Sequence, residues 1–74
     1  MIDAVRAQEI AEKYYQQIFN FCLSTAQCNK YDAEVLTQDV FLLFQQKCDT
    51  LEDEHIDRWL TVVAKYKVNE YFKK

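Results

Sequence analysis

Residues 10–23 read Ile10-Ala11-Glu12-Lys13-Tyr14-Tyr15-Gln16-Gln17-Ile18-Phe19-Asn20-Phe21-Cys22-Leu23. Ile10, Tyr14, Ile18 and Cys22 recur every fourth position, with Ala11, Tyr15, Phe19 and Leu23 beside them. That is a wide apolar stripe at the period of an α-helix. Gln8, Glu12, Gln16 and Asn20 fall on the other side. Asp3 is a fair N-cap, so the spacing predicts a helix from about Ala4 to Ala26. From Ser24 to Tyr31 the period is lost and Ser, Thr, Asn and Lys collect, as in a connection.

The same reading extends down the chain. Leu36, Val40, Leu43 and Phe44 form a second stripe, predicting a helix from about Asp32 to Lys47. Asp32 is placed to cap the free amides of its first turn, and Glu34 adds favourable charge there. Cys48 to Asp53 reads as the second connection, with Thr50 and Asp53 spaced as in a capping box. Ile56, Leu60, Val63 and Ala64, then Lys67, Val68 and Tyr71, give a third stripe between about Glu52 and Phe72. Three amphipathic helices with short connections predict an all-α bundle around one shared core.

Composition supports this. The 74 residues include no glycine and no proline, where average usage would supply about nine. That argues against tight β-hairpins and against a Gly-rich phosphate loop. Half the residues are apolar and 28% are charged, unlike a disordered tail. The length allows one domain near the low end of what folds alone.

Charge and cysteine content narrow the function classes. Net charge is −3, which does not suit bulk electrostatic binding of nucleic acid. The distribution is uneven. Asp49, Glu52, Asp53, Glu54 and Asp57 make an acidic stretch, whereas Lys65, Lys67, Lys73 and Lys74 make the end basic. Cys22, Cys28 and Cys48 are an odd number and cannot all pair internally. No signal sequence opens the chain and no run approaches a membrane span, so the expectation is a cytoplasmic protein with free thiols and no membrane partner. One histidine, His55, and no C-x-x-C pair argue against structural zinc. The acids around His55 do not have the ligand alternation or central glycine of a calcium loop. They read as solvated charge at a helix N-terminus. The chain is therefore expected to be no enzyme and to need no cofactor or metal.

Eleven aromatic residues are many for this length. Large rings fill a small core, but adjacent pairs such as Tyr14–Tyr15 and Tyr71–Phe72 cannot both turn inward. Some rings should therefore be exposed, ready to stack on unpaired bases or to fill a groove in a partner.

Two segments resemble a known family. Asp32-Ala33-Glu34-Val35-Leu36-Thr37-Gln38-Asp39-Val40-Phe41-Leu42-Leu43-Phe44 is similar to the D-A-E-D-L-V-Q-E-V-F-L-R-x-W signature of bacterial RNA polymerase sigma factors of the extracytoplasmic-function type. About fifteen residues on, Trp59-Leu60-Thr61-Val62-Val63-Ala64-Lys65-Tyr66 resembles that family's W-L-y-r-I-A-r-N, and Glu70-Tyr71-Phe72-Lys73-Lys74 stands where it has D-x-L-R-R. The aromatic first helix is similar too, so the likeness covers residues 8 to 74.

The resemblance implies sigma region 2, a helical domain that docks on the polymerase clamp and helps recognise and melt the −10 promoter element. By position it implies polymerase contacts at Glu34, Gln38 and Asp39, with Phe41 and Leu42 nearby, against the coiled coil of the largest subunit. Acids and amides there suit arginines on a partner helix. It implies promoter contacts, partly single-stranded, at Trp59, Lys65, Tyr66, Asn69, Lys73 and Lys74. Val35 replaces the family's second aspartate, and Tyr66 stands where the family prefers Asn. An anti-sigma factor is a further implied partner. The family commonly carries a second helix-turn-helix domain, so residues 1–74 are expected to be one domain of a longer two-domain protein. The alternative is a sigma-like interaction module that binds polymerase or a regulator without reading DNA. The acidic residues 49–57, which repel phosphate, are the feature behind it.

Overall fold

Helix α1 spans Ala4–Ala26, α2 spans Lys30–Lys47 and α3 spans Ile56–Phe72 in the computed structural model, which describes residues 2–73. Two single turns of 3-10 helix, Cys48–Thr50 and Asp53–His55, connect α2 to α3. No strand occurs among the described residues. Each helix packs against the other two, giving an all-α bundle of 33 × 20 × 17 Å. No helix among the described residues is long and apolar enough to cross a membrane.

The helix ends follow from local chemistry. Asp3 caps α1, its Oδ1 accepting from the Arg6 amide at 2.8 Å. Ile2 is buried just ahead of the cap, and its amide donates to the Cys48 carbonyl at 3.3 Å. With no glycine in the chain, α1 ends on Gln27 in the left-handed conformation, φ 52° and ψ 43°. Asn29, not Asp32, caps α2, accepting from the Asp32 amide at 2.8 Å. The helix therefore starts two residues earlier than its apolar period suggests, and the Asp32 carboxylate is left free for another partner.

The capping box expected at Thr50 and Asp53 does not form. The Thr50 hydroxyl donates back to the Lys47 carbonyl at 2.8 Å. Arg6 takes the Asp53 carboxylate in a two-bond fork, Nε to Oδ2 at 2.7 Å and Nη2 to Oδ1 at 2.8 Å. A planar guanidinium matches a carboxylate in this way and outcompetes a local turn. The fork ties the first turn of α1 to the entry of α3. It holds the Arg6 guanidinium above and the Asp53 carboxyl below their usual pKa ranges, chiefly through the hydrogen bonds themselves.

The core is contributed by all three helices. Ile10, Ile18 and Cys22 of α1 meet Ala33, Leu36, Val40 and Phe44 of α2 and Ile56, Leu60, Ala64 and Val68 of α3. A chain of rings crosses it. Tyr15 stacks on Phe41 (5.8 Å between centroids), Phe41 meets Phe44 edge-on (6.4 Å), and Phe44 tilts against Trp59 (6.1 Å). Thr37 is the one buried polar residue among those described, and its hydroxyl donates to the Ala33 carbonyl at 2.7 Å. Cys22 lies beside it, and burial pushes that thiol's pKa up. All three cysteines are free.

The stripe positions are not equally buried, and Tyr14, Lys67 and Tyr71 are half-buried. Leu43 and Val63, expected inside, are half-buried at the edge of their stripes. The seam of α2 is rotated slightly, so Thr37 and Phe41 take the inward positions. Phe41, expected near the outer polymerase-facing surface, is only 7% exposed and belongs to the ring chain of the core.

Candidate docking faces on helices 2 and 3

Core packing uses one side of α2 and leaves the other open. Glu34, Gln38, Asp39 and Leu42 are all exposed, Leu42 at 56%. Tyr31 and Val35 extend the same strip, so Tyr31, Val35, Gln38 and Leu42 follow one another at intervals of four, three and four. That alternation keeps side chains on one helical face, and it is the spacing by which one helix seats on another. Glu34 and Asp39 flank the strip on either side. The result is an apolar line edged by acid, with no basic residue between Tyr31 and Gln46.

Tyr31 and Val35 are missing from the sequence-derived set. Their signal was present: they lie out of phase with Ala33, Leu36, Val40 and Phe44 yet are large and apolar. Residue type alone does not say which side of a helix faces the core.

On α3 the open face is of different chemistry. Lys65, Tyr66, Asn69 and Lys73 are exposed, with Tyr66 at 62%. Trp59, Val62, Tyr66, Asn69 and Lys73 follow at intervals of three, four, three and four, so they share a face, with Arg58 and Lys65 alongside. Trp59 is half-buried, its indole packed on Phe44, and its position joins this face to the core. Val62 is an exposed apolar residue that the sequence reading did not single out, and Phe72 is the exposed ring of the Tyr71–Phe72 pair. Lys74 lies outside the described residues.

Two shallow grooves border α3. The groove shared with α2 has a volume of about 350 Å³ and is lined by Asp32, Val35, Leu36, Asp39, Lys67, Glu70 and Tyr71. At its end the Tyr71 hydroxyl donates to Asp32 Oδ2 at 2.9 Å, joining the C-terminus of α3 to the start of α2. That hydrogen bond, aided by partial burial and the carboxylate's charge, raises the pKa of the phenol. Lys67 Nζ lies 3.8 Å from Glu70 Oε1 along the α3 wall of the same groove. The second groove, about 360 Å³, lies between α1 and α3 and is lined by Gln17, Asp57, Arg58, Thr61, Val62 and Lys65.

The acids of the second connection are exposed: Asp49, Glu52, Asp53, Glu54 and Asp57. His55 among them is also exposed, with Nε2 3.6 Å from Glu54 Oε1. Among the described residues no three His, Cys, Asp or Glu side chains are grouped to hold a metal ion. Comparison with protein-family models, with curated proteins and with solved structures finds no match to this chain. Chemistry and geometry must carry the functional reading.

Proposed function

We propose that this chain is a docking domain of the sigma region 2 type, which binds RNA polymerase core through α2 and the melted promoter strand through α3. The observation that carries the reading is the open face of α2. Glu34, Gln38, Asp39 and Leu42 are exposed together on a helix whose opposite side is committed to the core. An apolar line edged by carboxylates suits a basic amphipathic helix, such as one strand of a clamp coiled coil.

Support for the second contact lies on α3. An exposed Tyr66 is available to stack on an unpaired base, with Lys65 and Lys73 placed for phosphates and Asn69 for a base edge. Arg58 adds a cation to the same face. An anti-sigma factor would use the same open faces, since covering them blocks both contacts.

One observation favours a second reading, a module that docks without reading DNA. The exposed acids Asp49, Glu52, Glu54 and Asp57 stand at the entry to α3 and would repel a phosphate backbone passing there.

The test is an Asp39→Arg variant measured for affinity to polymerase core. Asp39 is exposed, so helicity and thermal unfolding should stay near the parent's while affinity falls at least tenfold, about 1.4 kcal/mol. Unchanged affinity refutes the docking face. Tyr66→Ala then separates the two readings: retained core binding with impaired promoter opening supports the sigma role, and full opening assigns the chain to the docking module.

A further inference from the structure

The two open faces match each other. On α2, Tyr31, Val35 and Leu42 run between Glu34 and Asp39, and residues 31–46 include three acids and no base. On α3, Val62 and Tyr66 run beside Arg58 and Lys65, and residues 58–73 include four bases and one acid. That acid, Glu70, already has Lys67 at 3.8 Å. Among the described residues Glu34, Asp39, Arg58 and Lys65 have no ion-pair partner within the chain. Both strips have the alternating three–four spacing by which the side chains of two helices interdigitate.

We propose that α2 of one copy of this chain binds α3 of a second copy, apolar strip on apolar strip with the acidic edge against the basic edge. The contact is heterologous, because the two surfaces differ. It can therefore repeat along a row of molecules unless geometry closes it into a ring. A single helix seated on another buries less than the ~1,200 Å² of a stable complex, so the association is weak and concentration-dependent. Opposite charges at the rim make it salt-sensitive. Its consequence for docking rests on the function proposed above: an assembled molecule has its α2 or α3 face covered, and polymerase must displace the neighbouring copy.

Sedimentation equilibrium on the whole chain tests the assembly without polymerase or DNA, so its outcome is independent of that function. The average mass should rise with concentration from 8.9 kDa to more than twice that value in dilute salt. It should fall back toward the monomer when salt is raised about tenfold and the screening length shrinks about threefold. Leu42→Gln blocks the α2 face and Tyr66→Gln blocks the α3 face, both at exposed positions where circular dichroism should report an unchanged fold. Each variant alone should remain a monomer. Their equimolar mixture should form a one-to-one dimer and stop there, since only one complementary pair of faces is left. A parent chain that stays at 8.9 kDa up to about 1 mM, the weak end of measurable affinity, overturns the proposal. Assembly by either variant alone, or a mixture that fails to pair, overturns it equally.

Discussion

Replacing Leu60 by alanine deletes three carbon groups from a side chain with no solvent exposure, packed among the buried residues of all three helices. At about 0.8 kcal/mol per buried carbon group the transfer loss is about 2.4 kcal/mol. The unfilled space raises the cost into the range of about 2–5 kcal/mol. A chain of this length has a total stability of about 4–11 kcal/mol, so the variant should lose about a fifth of it or more. Val63, three residues on in the same helix, is the internal control. It is half-buried at the edge of the stripe, and Val63→Ala should cost about 1 kcal/mol or less. Urea unfolding followed by far-ultraviolet circular dichroism and by Trp59 fluorescence reads both. Near-native slopes with a midpoint shift at least twice as large for Leu60→Ala support the packing described. Equal shifts, or a loss below about 1 kcal/mol at Leu60, would mean that the inward face of α3 is wrongly assigned.

Other expectations follow from particular interactions. Gln27→Gly should stabilise the domain by about 0.5–1 kcal/mol, read as a higher Tm, because glycine adopts the left-handed conformation at the end of α1 without a Cβ clash; a lower Tm would count against that backbone geometry. Asp53 has its pKa lowered by Arg6, so its pairing stabilises the fold above the ordinary value of 3.8, and that contribution fades as pH drops through the lowered pKa. Asp53→Asn should therefore be less stable than the parent near neutrality and converge with it in acid; a gap that persists in acid refutes the pairing. Any binding of single-stranded promoter DNA should weaken with salt, and replacing Lys65 and Lys73 with glutamine should lower the magnitude of the log–log slope by about 1.4, or about 0.7 for each phosphate no longer neutralised. An unchanged slope would mean that neither lysine meets the strand.

The fold was legible because its determinants are local and periodic. Ile10, Ile18 and Cys22, or Ile56, Leu60 and Ala64, declare an inward face without reference to the rest of the chain. What escaped depends on pairing across distance. Arg6 and Asp53 are 47 residues apart, and nothing local says that the carboxylate will leave Thr50 for a guanidinium on another helix. Phe41 and Leu43 are two large apolar residues at the edges of one stripe, and the ring of Tyr15, supplied by α1, decides which turns inward. The start of α2 was missed for a simpler reason: Asn29 caps as well as Asp32 does and stands earlier.

The candidate site was partly legible on the same terms. Gln38, Asp39, Tyr66 and Asn69 are polar or part-polar residues off the apolar phase, and they lie exposed. Tyr31 falls in the stretch read as a connection, and Val35 and Val62 stand outside the stripes that mark the core, where an apolar residue type gives no role of its own. Their phase relative to the stripe is the signal that recovers them.

Trp59 gives the ring chain a mechanical meaning. Its indole lies against Phe44 on the inner side, while its place on α3 puts it in line with Tyr66. A ligand that drew the indole outward would open a void beside Phe44, in the middle of the helix whose far side carries the acidic strip. Occupancy on α3 would then loosen the bed on which α2 rests, and a partner that braces α2 would make the indole harder to move. Any such coupling would be reciprocal, each face then shifting the free energy of binding at the other. The sole tryptophan of the chain is thus a native optical probe for events on a helix to which it does not belong.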